Sequence, residues 1–244
     1  MNKVKGFTLI ELSIVIVIIG LIVAGIVGGQ AIVQQSKIRA QISDLKKYKL
    51  ATKAFYLEYN ATPGDFRSAS SYWGGSSNGN GNGKIDGALD GATDPNSESL
   101  LFFNHLSLSE IIPETYDNSS TLGAGYPILK IAAGKGMTAG NHYGGNASGL
   151  QVTNQFQFKL GLVLQIGQPD EPSNIDRNDD TGTASPVTYS MIDKKIDDGI
   201  ALQGTFREYR VWASRYGQCL ATVDGDYLLT NSAPSSHGVY IMKF

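Results

Sequence analysis

A long apolar segment lies near the start of the chain. From Phe7 to Val27 most side chains are apolar, and Glu11 is the one ionisable group among these 21 residues. At about 1.5 Å of rise per residue, a helix of this length reaches about 30 Å, enough to cross the hydrocarbon core of a bilayer. The pattern therefore predicts a membrane-spanning helix near the N-terminus.

A second pattern follows, in which apolar or weakly polar side chains recur every three or four residues while lysine and arginine fall mostly on other faces. This spacing is typical of an amphipathic helix with one buried face. No proline occurs before Pro63. We therefore expect one helix from Phe7 to about Tyr59, on the order of 80 Å long. The spaced side chains are Ile38, Ile42, Leu45, Tyr48, Thr52, Phe55 and Tyr59.

After residue 60 the pattern changes to short apolar runs separated by Gly, Ser, Asn and Asp. In the run 155–166, apolar residues from Phe156 to Leu164 alternate with other residues, which predicts a half-buried strand. The segment around Asn104–Leu108 predicts a short amphipathic helix that covers the sheet. Together these elements predict an α+β fold, in which an antiparallel sheet packs on the second half of the long helix. The other candidate strands are 126–132, 187–192, 208–213 and 239–244.

Composition and charge exclude several classes of protein. With 41% hydrophobic and 17% charged residues, the chain has enough apolar side chains to bury a core. The formal charge of −2, without a dense Lys/Arg cluster after residue 60, argues against a nucleic-acid partner. Cys219 is the single cysteine, so an intramolecular disulfide and a CxxC metal site or redox pair are both impossible.

The six residues before the apolar segment, MNKVKG, contain two lysines and no acid. By the positive-inside rule, these lysines place the N-terminus in the cytoplasm. A secretory signal peptide has a shorter apolar region that ends in a small-residue cleavage site, so we expect the span to be retained.

Glu11 is an unusual residue for an apolar span. A carboxylate there costs about 2.5–3.5 kcal/mol on insertion scales, so it marks a partner or a function unless it is solvated or neutral at the membrane edge. Residues 5–12, KGFTLIEL, decide between these readings. With the Ile/Val-rich span they resemble the type IV prepilin signature, which is shared by pilins and type II secretion pseudopilins.

The resemblance implies a processing step and an assembly contact. A prepilin peptidase would cut after Gly6, and the new N-terminal residue, Phe7, would become an N-methylphenylalanine. Glu11 would neutralise the N-terminal amine of a neighbouring subunit during assembly. This agrees with the physical argument that a carboxylate in the membrane needs a nearby cation.

The resemblance also implies a domain organisation with the type IV pilin fold. A leader peptide would occupy 1–6, the transmembrane and filament-core segment 7–29, the amphipathic half of the same helix 30–59, and a globular head 60–244. The head would lie in the periplasm while the helix crosses the bacterial inner membrane, before the subunit enters a pilus or pseudopilus filament.

The implied function is that of a structural subunit of a type IV pilus or type II secretion pseudopilus, without enzymatic activity. Its partners would be identical or related pilin subunits, the prepilin peptidase and the inner-membrane assembly platform. The alternative is a minor pilin that acts as a membrane-tethered binding or adhesion module.

A possible calcium loop begins at Asn78. Side-chain oxygens alternate along it, a glycine occupies its sixth position, and a backbone carbonyl would serve at the seventh. The twelfth position is Leu89 instead of the usual Glu, so any Ca²⁺ affinity should be weak, towards the millimolar range. The alternative is an Asn-Gly turn cluster without metal. The candidate ligands are Asn78, Asn80, Asn82, Lys84 through its carbonyl, Asp86 and Asp90.

Two further motifs invite a functional interpretation. The segment from Asp193 to Gly199, DKKIDDG, resembles one found in a Gly-rich subset of pilin-like heads. We expect its acids to accept hydrogen bonds from turn amides and to pair with Lys194 or Lys195. Residues 75–79, GSSNG, match the G-x-S-x-G pattern of a hydrolase, but no buried strand is predicted before them and no helix after them.

Overall fold

The computed structural model describes residues 7–86, 97–143, 159–167, 182–209, 226–234 and 237–242. Its first element is helix α1, Leu9–Tyr59, which contains 51 residues. Thr8 caps the N-terminus, and Asn60 ends the helix in the left-handed conformation with a φ of 49°. The predicted single long helix is therefore confirmed.

The two halves of α1 have different surroundings. The first half is exposed, and it contains an 18-residue window with a mean hydropathy of 2.9, none of which is buried. In the part of the chain that the structure describes, α1 is the one helix long and apolar enough to cross a membrane. The second half presents a buried face, as the periodicity predicts. The buried residues of α1 are Ile38, Gln41, Ile42, Leu45, Tyr48, Ala51, Thr52 and Phe55.

Among the described residues, seven shorter elements follow α1. The helices are α2 (Ala69–Tyr72), α3 (Glu98–Leu108) and α4 (Pro186–Ile196). The strands are β1 (Gly136–Tyr143), β2 (Lys159–Gly167), β3 (Phe206–Tyr209) and β4 (His237–Ile241). They form one antiparallel sheet in the order β1-β2-β4-β3. The predicted α+β fold, with a sheet against the long helix, is confirmed.

The core lies between the second half of α1 and the sheet. Thr52 Oγ1 lies 3.9 Å from Sδ of Met242, which directly follows β4. On the same side, Lys49 Nζ lies 5.6 Å from the ring centroid of Tyr240. Helix α3 contacts both α1 and β1, while α4 contacts α1 and β3. The sheet is therefore covered by helices that share one apolar core.

The strand predictions are partly wrong. Residues 187–192 lie in α4, because Ser185 caps this helix by accepting a hydrogen bond from Thr188 N–H and Pro186 occupies its first turn. These two start signals override the local β propensity of Val187 and Thr188. Residues 126–132 contain isolated bridges and form no named strand.

The remaining strand predictions are confirmed with shifted ends. The alternating run 155–166 corresponds to β2, and its first four residues lie outside the described residues. Val163 and Gln165 are buried as well as Leu164 and Ile166, so this part of β2 is covered on both faces instead of one. The predictions 208–213 and 239–244 overlap β3 and β4, and residues 210–213 and 243–244 are not among those described.

Candidate functional site

The N-terminus of α1 is closed by a reciprocal capping box. Glu11 N–H donates to Thr8 Oγ1 over 3.3 Å, while Thr8 N–H donates to Glu11 Oε2 over 2.8 Å. The Thr8 hydroxyl also donates to Oε2 over 2.8 Å. Such a cap satisfies backbone donors that the first turn leaves unpaired, and it stabilises a helix by about 1 kcal/mol. Glu11 is therefore held at the first turn of the helix.

The side chains around Glu11 are open to their surroundings. Phe7 is 83% exposed and Leu9 is 88% exposed, and Glu11 is also exposed. Gly6 lies outside the described residues. Phe7 and Glu11 are thus both exposed at the N-terminal end of α1.

The first half of α1 is apolar all round and has no partner within the described chain. Every residue from Phe7 to Val33 is exposed. A Cβ atom added at Gly20, Gly25 or Gly29 would meet nothing within 4 Å, so the packing of this chain does not require these glycines. A helix of this kind needs apolar surroundings from outside, either lipid or other helices that approach closely at small residues.

In the head, two carboxylates hold the loop 78–86 in place. Asp65 accepts hydrogen bonds from Asn82 N–H over 3.0 Å and from Gly83 N–H over 2.7 Å. Glu98 accepts from Asn80 N–H over 2.7 Å and from Asp86 N–H over 2.8 Å. Burial raises the pKa of Glu98, and the nearby acids Asp65 and Asp86 raise it further.

The candidate ligands of the loop have partners within the chain. The Asn78 side-chain oxygen accepts from Ser70 N–H over 2.8 Å, which turns Asn78 towards α2. Asn80 and Asn82 each donate to Asp86 Oδ2, so these three side chains meet on one side of the loop. Asp90 lies outside the described residues. Calcium binding at this loop stays a prediction.

The side-chain oxygens of Asn80 and Asn82 also accept backbone hydrogen bonds inside the loop. They accept from Asn82 N–H over 2.9 Å and from Lys84 N–H over 2.8 Å, respectively. These bonds are typical of Asn turns, in which the side chain stabilises the local backbone. The turn geometry expected of the Asn-Gly cluster is therefore present.

His105 is a buried structural residue that links three segments. Its Nδ1 accepts a hydrogen bond from Gly64 N–H over 2.9 Å, and its Nε2 donates to the Ser77 carbonyl over 3.0 Å. Burial lowers the pKa of His105 to about 4, so the ring is neutral at physiological pH. The backbone of Gly64 and Gly79 approaches closely here, since a Cβ at Gly79 would lie 2.3 Å from the Gly64 carbonyl.

The G-x-S-x-G match does not form a nucleophile elbow. Residues 75–79 follow α2, a helix of four residues that ends at Tyr72, and they continue into the loop 78–86. An elbow requires a strand before the serine and a helix after it.

The acids at the end of α4 form a compact group. Asp193 is fully buried and accepts a hydrogen bond from the Tyr227 hydroxyl over 2.9 Å. Asp197 accepts from Phe206 N–H over 3.1 Å and also from Thr205 N–H, while Asp198 accepts from Ile200 N–H over 2.8 Å. Burial, followed by the adjacent Asp197, raises the pKa of Asp193 to about 8.

These contacts partly confirm the prediction for the acidic segment. Asp197 and Asp198 accept hydrogen bonds from loop amides, as expected. Lys194 and Lys195 are exposed, and the salt bridges found among the described residues involve neither of them.

The comparison with known protein families found a match at the N-terminus, where α1 begins. Residues 1–27 match the model of the prokaryotic N-terminal methylation motif. Neither the search of curated proteins nor the search of solved structures found a match. The matched residues include Gly6, Phe7 and Glu11. The chain thus carries the prepilin-type motif that marks the type IV pilin and pseudopilin superfamily.

Proposed function

We propose that the chain is a structural subunit of a type IV pilus or type II secretion pseudopilus. The observation that supports this most strongly is the prepilin-type motif on a helix with two different halves. The second half of α1 is embedded in the head, and the first half is apolar all round and exposed. Lipid would cover that half before assembly, and the helices of neighbouring subunits would cover it afterwards.

Processing would create the cation that assembly requires. Hydrolysis of the Gly6–Phe7 peptide bond consumes one water and leaves a carboxylate on Gly6 and an ammonium on Phe7. Methylation of that amine keeps its positive charge. Phe7 directly precedes Thr8, the cap of α1, so the charge would lie beside the capping box.

Glu11 would accept the ammonium of an adjacent subunit. Both bonds from Thr8 go to Oε2, so we expect the neighbour's ammonium to approach Oε1. Among apolar helices the local dielectric constant is low, and a charge-assisted hydrogen bond is then strong. An unpaired charge of either sign would be strongly unfavourable in that environment. Subunits should therefore align so that each N-terminal ammonium meets the Glu11 carboxylate of a neighbour.

The proposed organisation follows from this mechanism. Residues 1–6 are the leader, 7–29 the membrane and filament-core segment, 30–59 the amphipathic half of α1, and 60–244 the head. The N-terminus lies in the cytoplasm and the head in the periplasm until the assembly platform extracts the subunit. The partners are related or identical pilin subunits and the prepilin peptidase.

Substitution of Glu11 tests the assembly contact. We expect Glu11→Ala to insert and to be cleaved normally, but to enter filaments at least about tenfold less, because the neighbour's ammonium loses its partner. Filament incorporation is measured by shearing and immunoblotting. The matched control is Thr8→Ala, which removes the two hydrogen bonds of the Thr8 hydroxyl and keeps the Glu11 carboxylate. Normal incorporation of Glu11→Ala, or an equal loss in Thr8→Ala, would contradict the ammonium contact.

A further inference from the structure

We propose that Asp193, Asp197 and Asp198 bind a calcium ion at the C-terminal end of α4. Each residue offers one carboxylate oxygen, and the three oxygens lie within 4.8 Å of one another. Calcium binds oxygen at about 2.3–2.6 Å, so ligands on opposite sides of the ion are about 4.6–5.2 Å apart. The three oxygens are therefore close enough to share one ion.

The buried member of the group supports this proposal independently. Asp193 is 0% exposed, and its Oδ2 accepts the Tyr227 hydroxyl over 2.9 Å. Its Oδ1 is also buried, and no N–H or O–H group of another residue type is found to donate to it among the described residues, while the Asp197 carboxylate lies beside Asp193. A buried polar atom without a partner costs about 1–3 kcal/mol, and more when it is charged. A cation bound between the three carboxylates would supply the missing partner.

The surrounding loop holds the other two carboxylates in position. Asp197 Oδ2 accepts hydrogen bonds from the N–H groups of Thr205 and Phe206, which brings the start of β3 against this side chain. A Cβ added at Gly204 would lie 2.2 Å from Asp197 Oδ2, so glycine allows the loop to approach the carboxylate. The Asp198 side chain is fixed by its bond from Ile200 N–H.

The chemistry of the group favours a hard divalent cation. The ligands are carboxylate oxygens, which suit Ca²⁺ and Mg²⁺ and disfavour soft metals. Asp197 and Asp198 are exposed, so an ion and its remaining waters can enter from solvent. Calcium tolerates an irregular shell, whereas Mg²⁺ demands a near-octahedral one. With three protein ligands, we expect a dissociation constant of about 10⁻⁴ to 10⁻³ M.

The neighbouring positive charge is compatible with a divalent ion. Arg207 is half-buried on β3, and its charge interacts favourably with Asp197 and Asp198. With the ion bound, all three carboxylates would be ionised, and together with the guanidinium they would carry a local charge of −2, since −3 + 1 = −2. This site lies on α4 and the following loop, so it is separate from the loop 78–86.

Metal titration of the full processed chain in detergent micelles tests the proposal. After treatment with a chelator, calorimetry with CaCl₂ should show binding at about 10⁻⁴ to 10⁻³ M, and MgCl₂ should bind more weakly. Terbium should luminesce on excitation of tyrosine, because Tyr227 contacts Asp193. We expect Asp198→Asn to weaken calcium binding at least about tenfold through the loss of one charged ligand.

The matched control is Asp117→Asn, which alters an exposed aspartate that also accepts a hydrogen bond from a loop amide, and it should leave the calorimetric affinity unchanged. Asp86→Asn reports separately on the loop 78–86. Asp198 is exposed, so its substitution keeps the fold, and circular dichroism in the presence of chelator verifies this. Absence of binding up to about 10 mM calcium would overturn the proposal. Unchanged affinity in Asp198→Asn, or loss of binding in Asp86→Asn alone, would also overturn it.

Discussion

At the scale of single residues, burial keeps His105 neutral at the position where its ring links separate segments of the chain. Its two ring nitrogens connect the turn at Gly64 with the carbonyl of Ser77. Its ring lies 5.9 Å from that of Trp73, between centroids. Protonation would place a charge in this aromatic core and would remove the acceptor for Gly64 N–H. The ring therefore couples the stability of this region to pH.

We expect acid to weaken the head through His105. The folded pKa of about 4 is below the usual value of about 6.5, so the stabilisation is present above pH 6.5 and is lost as the pH falls towards 4. The expected loss in the free energy of unfolding is about 2–3 kcal/mol. Denaturant unfolding of the full chain in micelles, followed by tryptophan fluorescence, measures it.

The control for this prediction is His105→Gln, which keeps hydrogen-bonding groups but does not titrate. Its free energy of unfolding should be lower at pH 7 and should change less than that of the parent chain between pH 6.5 and pH 4. Equal pH dependence in both proteins would assign the effect to other groups.

At the scale of elements, a helix is predicted more accurately when its apolar spacing is repeated over many turns. α1 repeats its apolar spacing over many turns, so its extent and buried face were predicted correctly. α4 is a short helix with several residues of high β propensity, and its start depends on Ser185 and Pro186. The carboxylates that anchor the loop 78–86 were missed, because Asp65 and Glu98 approach it only in the folded chain.

The cap of α4 gives a test at this scale. We expect Ser185→Ala to lower the free energy of unfolding by about 1 kcal/mol, because Thr188 N–H loses its acceptor. Ser185→Asn is the matched control, since asparagine is also a good N-cap, and it should stay within about 0.5 kcal/mol of the parent. Thermal unfolding monitored by circular dichroism compares the three proteins, and equal stability of the alanine and asparagine variants would show that the cap contributes little.

At the scale of the whole molecule, the sequence predicts a long helix with an exposed apolar half and a head that contains an antiparallel sheet. The pairing order β1-β2-β4-β3 could not be predicted, because β4 lies far along the chain from β2 and the choice of partner depends on the complete core. For the proposed assembly site, the motif that contains Phe7 and Glu11 is local and can be recognised from the sequence alone. The contact of Asp193 with Tyr227 was not, since the two residues meet only through folding.

Mass spectrometry of the protein isolated from cells that contain a prepilin peptidase tests the central claim most directly. We predict a mature chain that begins at Phe7 and carries one methyl group on its N-terminal amine. Replacement of Gly6 by leucine should leave the leader attached and so provides the matched control. A native chain that retains residues 1–6 under these conditions would contradict the assignment of this protein as a processed filament subunit.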